Sequence, residues 1–143
     1  MTGPAEGDAA VTVGGRPRPL PDAEVVRVVA TVLRRERRSA RVSVAFLGRE
    51  AMRRLNARHT GHDRPTDVLA FALPGDVLTG DVYVCPWIAA RQARRYGVPP
   101  RQELVRLLVH GTLHVLGWDH PEDDSRTRSP MWRRQERYVA ALT

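Results

Sequence analysis

Lysine is absent from this chain of 143 residues, and every one of its 23 basic side chains is arginine. The absence, alongside abundant Ala, Val, Gly and Pro, reads as the mark of a GC-rich coding sequence and need not reflect selection at any one site. Cysteine is nearly absent too. With Cys85 alone there is no intrachain disulfide, and its reading is a small buried strand residue rather than a reactive thiol. No apolar run approaches the roughly 20 residues that cross a bilayer as a helix. Aromatic residues make up 6%. The opening residues MTGPAEGDAA lack a basic start followed by an apolar run, the pattern of a secretory signal. A cytoplasmic protein without a membrane partner is the expectation.

What is present is enough hydrophobic residue, 42%, for one domain-sized core. The net charge is +7. Guanidinium groups pair with phosphate through two parallel hydrogen bonds, and a positive field draws polyanions. The charge is also compatible with a basic surface that binds nothing in particular, so by itself it leaves nucleic acid an open question.

The order of elements is mixed. Residues 1–10 read as a flexible tail and 11–143 as one domain. Val11 to Val13 reads as a first strand, and Asp22 to Arg38 as a helix with Val25, Val28, Val29, Val32 and Leu33 on one stripe. Arg41 to Leu47 alternates like a half-buried strand. Glu50 to Arg58 is read as a helix packing through Met52 and Leu55, then His59 to Pro65 as a polar loop. Thr66 to Leu73 and Gly80 to Cys85 form a candidate hairpin. Three helices follow, over Pro86 to Tyr96, Arg101 to Leu116 and Pro130 to Leu142. Apolar residues nearly encircle the second of these, so it is expected at the centre of the molecule. The fold class is α+β: a single domain with a small mixed sheet of about four strands covered by about five helices, and a metal site at the end of the central buried helix.

That site is the reading of His110-Gly111-Thr112-Leu113-His114-Val115-Leu116-Gly117-Trp118-Asp119-His120. Three of five histidines fall at i, i+4 and i+10. His110 and His114 stand one helical turn apart, so their rings share a side. Gly117 lets the backbone leave the helix by the left-handed route and bring His120 to the same point. Three imidazoles around one cation leave a fourth position open, as in catalytic zinc sites. The alternative is three histidines buried independently against backbone, which needs three unrelated polar satisfactions in one apolar segment.

The same segment resembles the signature H-G-x-L-H-x-x-G-x-D-H of the YbeY family of bacterial rRNA-maturation endoribonucleases. Leu55-Asn56 with Asp63-Arg64-Pro65-Thr66-Asp67-Val68-Leu69-Ala70-Phe71 resembles the family's L-N…D-x-P-T-D-V-L-S-F block. Gly80-Asp81-Val82-Tyr83-Val84 resembles its G-D-I-x-I strand, and Met131-Trp132 with Gln135-Glu136 its closing helix. The likeness spans about residues 20 to 142. It implies one zinc ion held by His110, His114 and His120. It implies cleavage of single-stranded RNA in processing the 3′ end of the small-subunit (16S) rRNA, and a part in ribosome quality control. Its partners would be rRNA and the ribosomal small subunit, with protein partners unknown.

One departure matters. Family members carry Tyr-Arg shortly after Leu-Asn, where this chain has His59-Thr60, and Ala70 replaces the usual Ser. Arg58 and Arg64 stand near enough in sequence to be candidates for neutralising phosphate, against a reading as exposed loop charge. Asp119 either orients a histidine or caps the segment that follows. Thr66 and Asp67 serve the loop–strand junction or meet substrate. Gly111 occupies the position where zinc peptidases of the H-E-x-x-H type place their glutamate, so a peptidase would lack its acid/base group. Three functions stay in play: a zinc-dependent endoribonuclease, a non-catalytic RNA-binding assembly factor with structural zinc, and, behind them, a metallopeptidase.

Overall fold

Alternation of apolar side chains builds a four-stranded sheet. The computed structural model describes residues 10–143, so the tail expected over residues 1–10 lies, Ala10 apart, outside the described residues. The strands are β1 (Val11–Gly15), β2 (Ala40–Phe46), β3 (Val68–Leu73) and β4 (Leu78–Val84), in the spatial order β1-β2-β4-β3. β1 and β4 flank β2 in parallel, and β3 closes the sheet antiparallel to β4. The register aligns Val13, Val44, Val82 and Ala70 across one face. Val42, Val44, Phe46, Val82 and Val84 of that face are fully or almost fully buried, whereas Arg41 and Ser43 between them are exposed. Side chains alternate faces along a strand, so the pattern fixes which face meets the core.

The helices are α1 (Asp22–Arg35), α2 (Arg49–Thr60), α3 (Pro86–Tyr96), α4 (Pro100–Val115) and α5 (Pro130–Leu142), with a 3₁₀ turn over Asp124–Arg128. α4 is the centre. It packs on β3 and β4 and touches α1, α3 and α5. Leu104, Val105, Leu107, Leu108, Val109, Leu113, Val115 and Leu116 are all buried, as the near-continuous apolar circumference predicts. The mixed α+β domain expected from the element order is the one found.

Close approach of α4 to the sheet depends on missing side chains. A Cβ at Gly111 would sit 2.6 Å from Val82 Cγ1, and one at Gly80 would sit 2.4 Å from Val115 Cγ1. Each glycine accepts the other element's valine.

Several boundaries differ from the sequence reading. α2 runs on through His59 and Thr60, read as the start of a loop, to a left-handed Gly61. β1 extends to Gly15 and β4 starts at Leu78. Two further ends have local reasons. α1 stops at Arg35 rather than Arg38 because Arg37 takes a left-handed conformation (φ 55°). The Arg38 amide then bonds the Leu33 carbonyl and the Arg37 amide the Arg34 carbonyl, a Schellman ending built without glycine. β3 starts at Val68 rather than Thr66 because Asp67 Oδ1 accepts the Val68 amide at 2.7 Å and draws the chain into a turn. Cys85 is fully buried at the start of α3, and burial raises its thiol pKa, so it sits as an inert packing residue.

Candidate metal centre

The end of α4 assembles the histidines. His110 and His114 leave the same face one turn apart. After Leu116 the Trp118 amide bonds the Leu113 carbonyl and the Gly117 amide the His114 carbonyl, with Gly117 at φ 98°. This Schellman ending reverses the chain, which returns with His120. The ring centroids of His110 and His114 lie 4.6 Å apart, and each is 5.0 Å from that of His120. One ligand atom from each ring lies within 4.8 Å of the other two. The three residues therefore form a cluster able to hold a metal ion.

Each ring is held by its Nδ1. His110 Nδ1 is 2.6 Å from Gln135 Oε1 on α5, His114 Nδ1 is 2.9 Å from the Trp118 carbonyl, and His120 Nδ1 is 2.8 Å from the Pro121 carbonyl. Two of these acceptors are backbone oxygens and cannot donate. Gln135 turns its amide nitrogen to Glu136 Oε2 at 3.0 Å, so its oxygen faces the ring. Nδ1 is thus the protonated nitrogen in all three, and Nε2 carries the lone pair. Burial pulls the pKa of His110 down to about 4, against the Gln135 hydrogen bond, and the nearby His114 and His120 lower it further. Burial likewise lowers His114, reinforced by His120. Neutral imidazole is the form that binds metal, and three fixed Nε2 donors suit a borderline divalent ion.

Behind the rings stand two polar networks. Arg106 Nε and Nη2 donate to the two oxygens of Glu136 at 2.9 Å each, and Glu136 in turn receives Gln135. On the other side Glu36 accepts from Trp118 Nε1 at 3.0 Å, from Arg134 Nε at 2.8 Å and from the Tyr138 hydroxyl. Glu36 is thereby tied to Trp118, whose carbonyl holds His114. Burial works against the Glu36 charge, but the hydrogen bonds from Tyr138, Arg134 and Trp118 outweigh it and lower its pKa.

Beside His110 and His120 opens a cavity of about 540 Å³. Thr66 and Asp67 line it while also serving the strand junction: Asp67 Oδ2 receives Gln92 Nε2 at 3.2 Å. Arg58 and Arg64 do not line it and are exposed. Its arginines are Arg106 and Arg126. Asp119 is exposed and accepts the His120 backbone amide at 2.8 Å, so it caps the turn, while its charge opposes the burial that lowers the His114 pKa. Thr60 donates to Asn56 at the end of α2, and His59 packs on Phe71 with centroids 4.6 Å apart. Register puts Phe71 on the sheet face opposite Ala70 and Val82. Sequence reasoning missed Glu103, Arg106 and Arg126 as site residues. A glutamate within the apolar circumference of α4 was the available signal for the first.

Among the described residues no helix is long and apolar enough to cross a membrane. Residues 20–143 match the family model described as Endoribonuclease YbeY. The chain is 34% identical over 108 residues to the Endoribonuclease YbeY of Thermotoga maritima, covering 76% of this chain and 71% of that protein. It is 30% identical over 125 residues to that of Chloroherpeton thalassium, covering 86% and 87%. The solution structure of TM1509 from Thermotoga maritima superposes with a TM-score of 0.68 at 28% identity, covering 92% of this chain and 88% of that one. By family model, by relatives and by fold, this chain belongs to the Endoribonuclease YbeY family.

Proposed function

We propose that the chain is an endoribonuclease that uses one zinc ion, held by His110, His114 and His120, to cut single-stranded RNA. The observation that carries the reading is the shared arrangement of the three rings: each Nδ1 meets a hydrogen-bond acceptor, which frees three Nε2 atoms on one cluster. A zinc ion bound there lowers the pKa of water and polarises a phosphoryl oxygen. The protein's own part is to hold the rings still. Gln135 and the Trp118 and Pro121 carbonyls do this directly, and Glu136 and Glu36 brace them. Arg106 is committed to Glu136, so Arg126 is the cavity cation that meets phosphate.

A peptidase reading finds no support in the site, because Gly111 is packed against Val82 and the peptidase glutamate has no room there. In the cell the substrate is rRNA, in the maturation of the 3′ end of the small-subunit RNA and in ribosome quality control, in the cytoplasm and on the small subunit. Residues 11–143 act as one unit in this work.

The test is cleavage of a labelled single-stranded RNA by purified protein carrying about one zinc per chain, beside His114→Ala. Cleavage by the wild type that is lost in the variant supports the reading. Equal cleavage by both assigns the activity to a contaminant, and RNA binding without cleavage leaves an assembly factor with structural zinc.

A further inference from the structure

Glu103 stands seven residues before His110 on α4, so the two side chains share a face two turns apart, about 10 Å along the axis. It is only 3% exposed, yet it lines the same cavity as His110. Its cationic neighbour serves it poorly. Arg106 makes its two short hydrogen bonds to Glu136 and reaches Glu103 Oε1 at 3.5 Å. No buried side-chain nitrogen or oxygen among the described residues lacks a partner. A carboxylate accepts several hydrogen bonds, however, and the one long contact from Arg106 leaves Glu103 acceptor capacity for a donor in the cavity.

The rest of the wall says what kind of ligand that is. Asp67, Glu122 and Glu136 line the cavity together with Glu103, against Arg106 and Arg126. Around Glu103 a second phosphate would meet carboxylate and an Arg106 already committed to Glu136, which leaves Arg126 for the phosphodiester at the histidine cluster. An uncharged group rich in N–H donors meets acceptors instead. Trp132 and Tyr96 supply aromatic surface in the same wall, and unpaired bases are held by stacking on such side chains with their edges hydrogen-bonded. The separation of Glu103 from His110 resembles the reach from a nucleotide's phosphate to the far edge of its base. Guanine alone among the four RNA bases presents two adjacent N–H donors, at N1 and N2, which match the paired oxygens of one carboxylate.

We propose that this cavity is a nucleobase subsite that takes an unpaired guanine beside the phosphodiester held at the histidine cluster, with Glu103 reading its N1–H and N2–H edge and Trp132 stacking on its face. The proposal rests on the reading of the chain as a protein that acts on single-stranded RNA. Glu103 is then the residue that sets base preference.

The experiment measures binding of the full chain, zinc-loaded, to 2′-O-methyl oligouridine octamers by fluorescence anisotropy. The central residue is uridine, adenosine, guanosine or inosine, which is guanosine without the 2-amino group. The expected result is about tenfold tighter binding of the guanosine oligomer than of the uridine one, with most of the gain lost for inosine. Glu103→Gln, checked for folding by its melting curve, removes the guanosine preference and keeps binding to the uridine oligomer. Equal affinity of the wild type for all four oligomers, or a guanosine preference that survives in folded Glu103→Gln, overturns the proposal. The inosine comparison needs no variant: equal binding of the guanosine and inosine oligomers removes the N2–H contact and overturns the proposal even where Glu103→Gln fails to fold. Cleavage of a guanine-free RNA is followed separately, so that loss of the nuclease reading and loss of the guanine subsite give different results.

Discussion

Gly111 and Val82 meet where α4 crosses β4, with so little space that a methyl group on Gly111 would fall 2.6 Å from Val82 Cγ1. The contact lies one residue past His110 and seats the metal-cluster helix on the sheet. Gly111→Ala is expected to destabilise the protein by about 1–3 kcal/mol through overpacking, helix propensity notwithstanding. Urea denaturation measures it. Gly111→Ala combined with Val82→Ala should recover much of the loss, and failure to recover would place the cost elsewhere.

Gln135 is the acceptor for His110 Nδ1. Replacing it by Leu keeps the volume and leaves the ring unanchored. Loss of such a partner costs about 10–100-fold in metal affinity. Competition with a chromophoric chelator reads this directly, and an unchanged zinc affinity would show that α5 does not support the site.

Glu36 gives the fold an acid limb. Its pKa is lowered in the folded state by Tyr138, Arg134 and Trp118 in spite of burial. The unfolded chain therefore takes up the proton first as pH falls. Glu36 contributes stability that is fully present above its unfolded pKa of about 4.5 and disappears as pH falls through the lower, folded value. Glu36→Gln should lower stability at neutral pH by about 1–3 kcal/mol and flatten the decline below pH 4.5. Denaturant titrations at pH 7 and pH 4 on both proteins compare the two slopes.

Removal of metal should loosen the whole domain, because the cluster joins α4 to the segment after Gly117. At a free zinc concentration 100 times Kd, binding stabilises by about 2.7 kcal/mol, which corresponds to a melting shift on the order of 10 °C. Calorimetry with and without chelator measures it. His120→Ala should melt like the chelated wild type and respond little to added zinc.

The arginine excess makes a prediction about salt. With a net charge of +7, RNA affinity should fall steeply as ionic strength rises, because each neutralised phosphate releases counterions. A flat dependence of log affinity on log salt would leave the charge without a part in RNA binding.

The hydrophobic periodicity of this chain determined its elements and the central place of α4. A stripe with period 3.6 or an alternation with period 2 leaves one stable burial, and those patterns stand in the chain itself. The spacing of His110, His114 and His120 around Gly117 likewise determined their convergence, since it depends only on helix geometry and a left-handed turn. Tertiary structure decided the rest. Arg37 ends α1 in a conformation that its side chain does not announce. Arg58 and Arg64, which flank His59-Thr60 in sequence, stand outside the cavity, while Arg106, Arg126 and Glu103 line it. Gln135 reaches His110 and Glu36 reaches Trp118 across separations of 25 and 82 residues. Such partners are chosen by how helices dock, and docking is a property of the assembled core that no local pattern encodes.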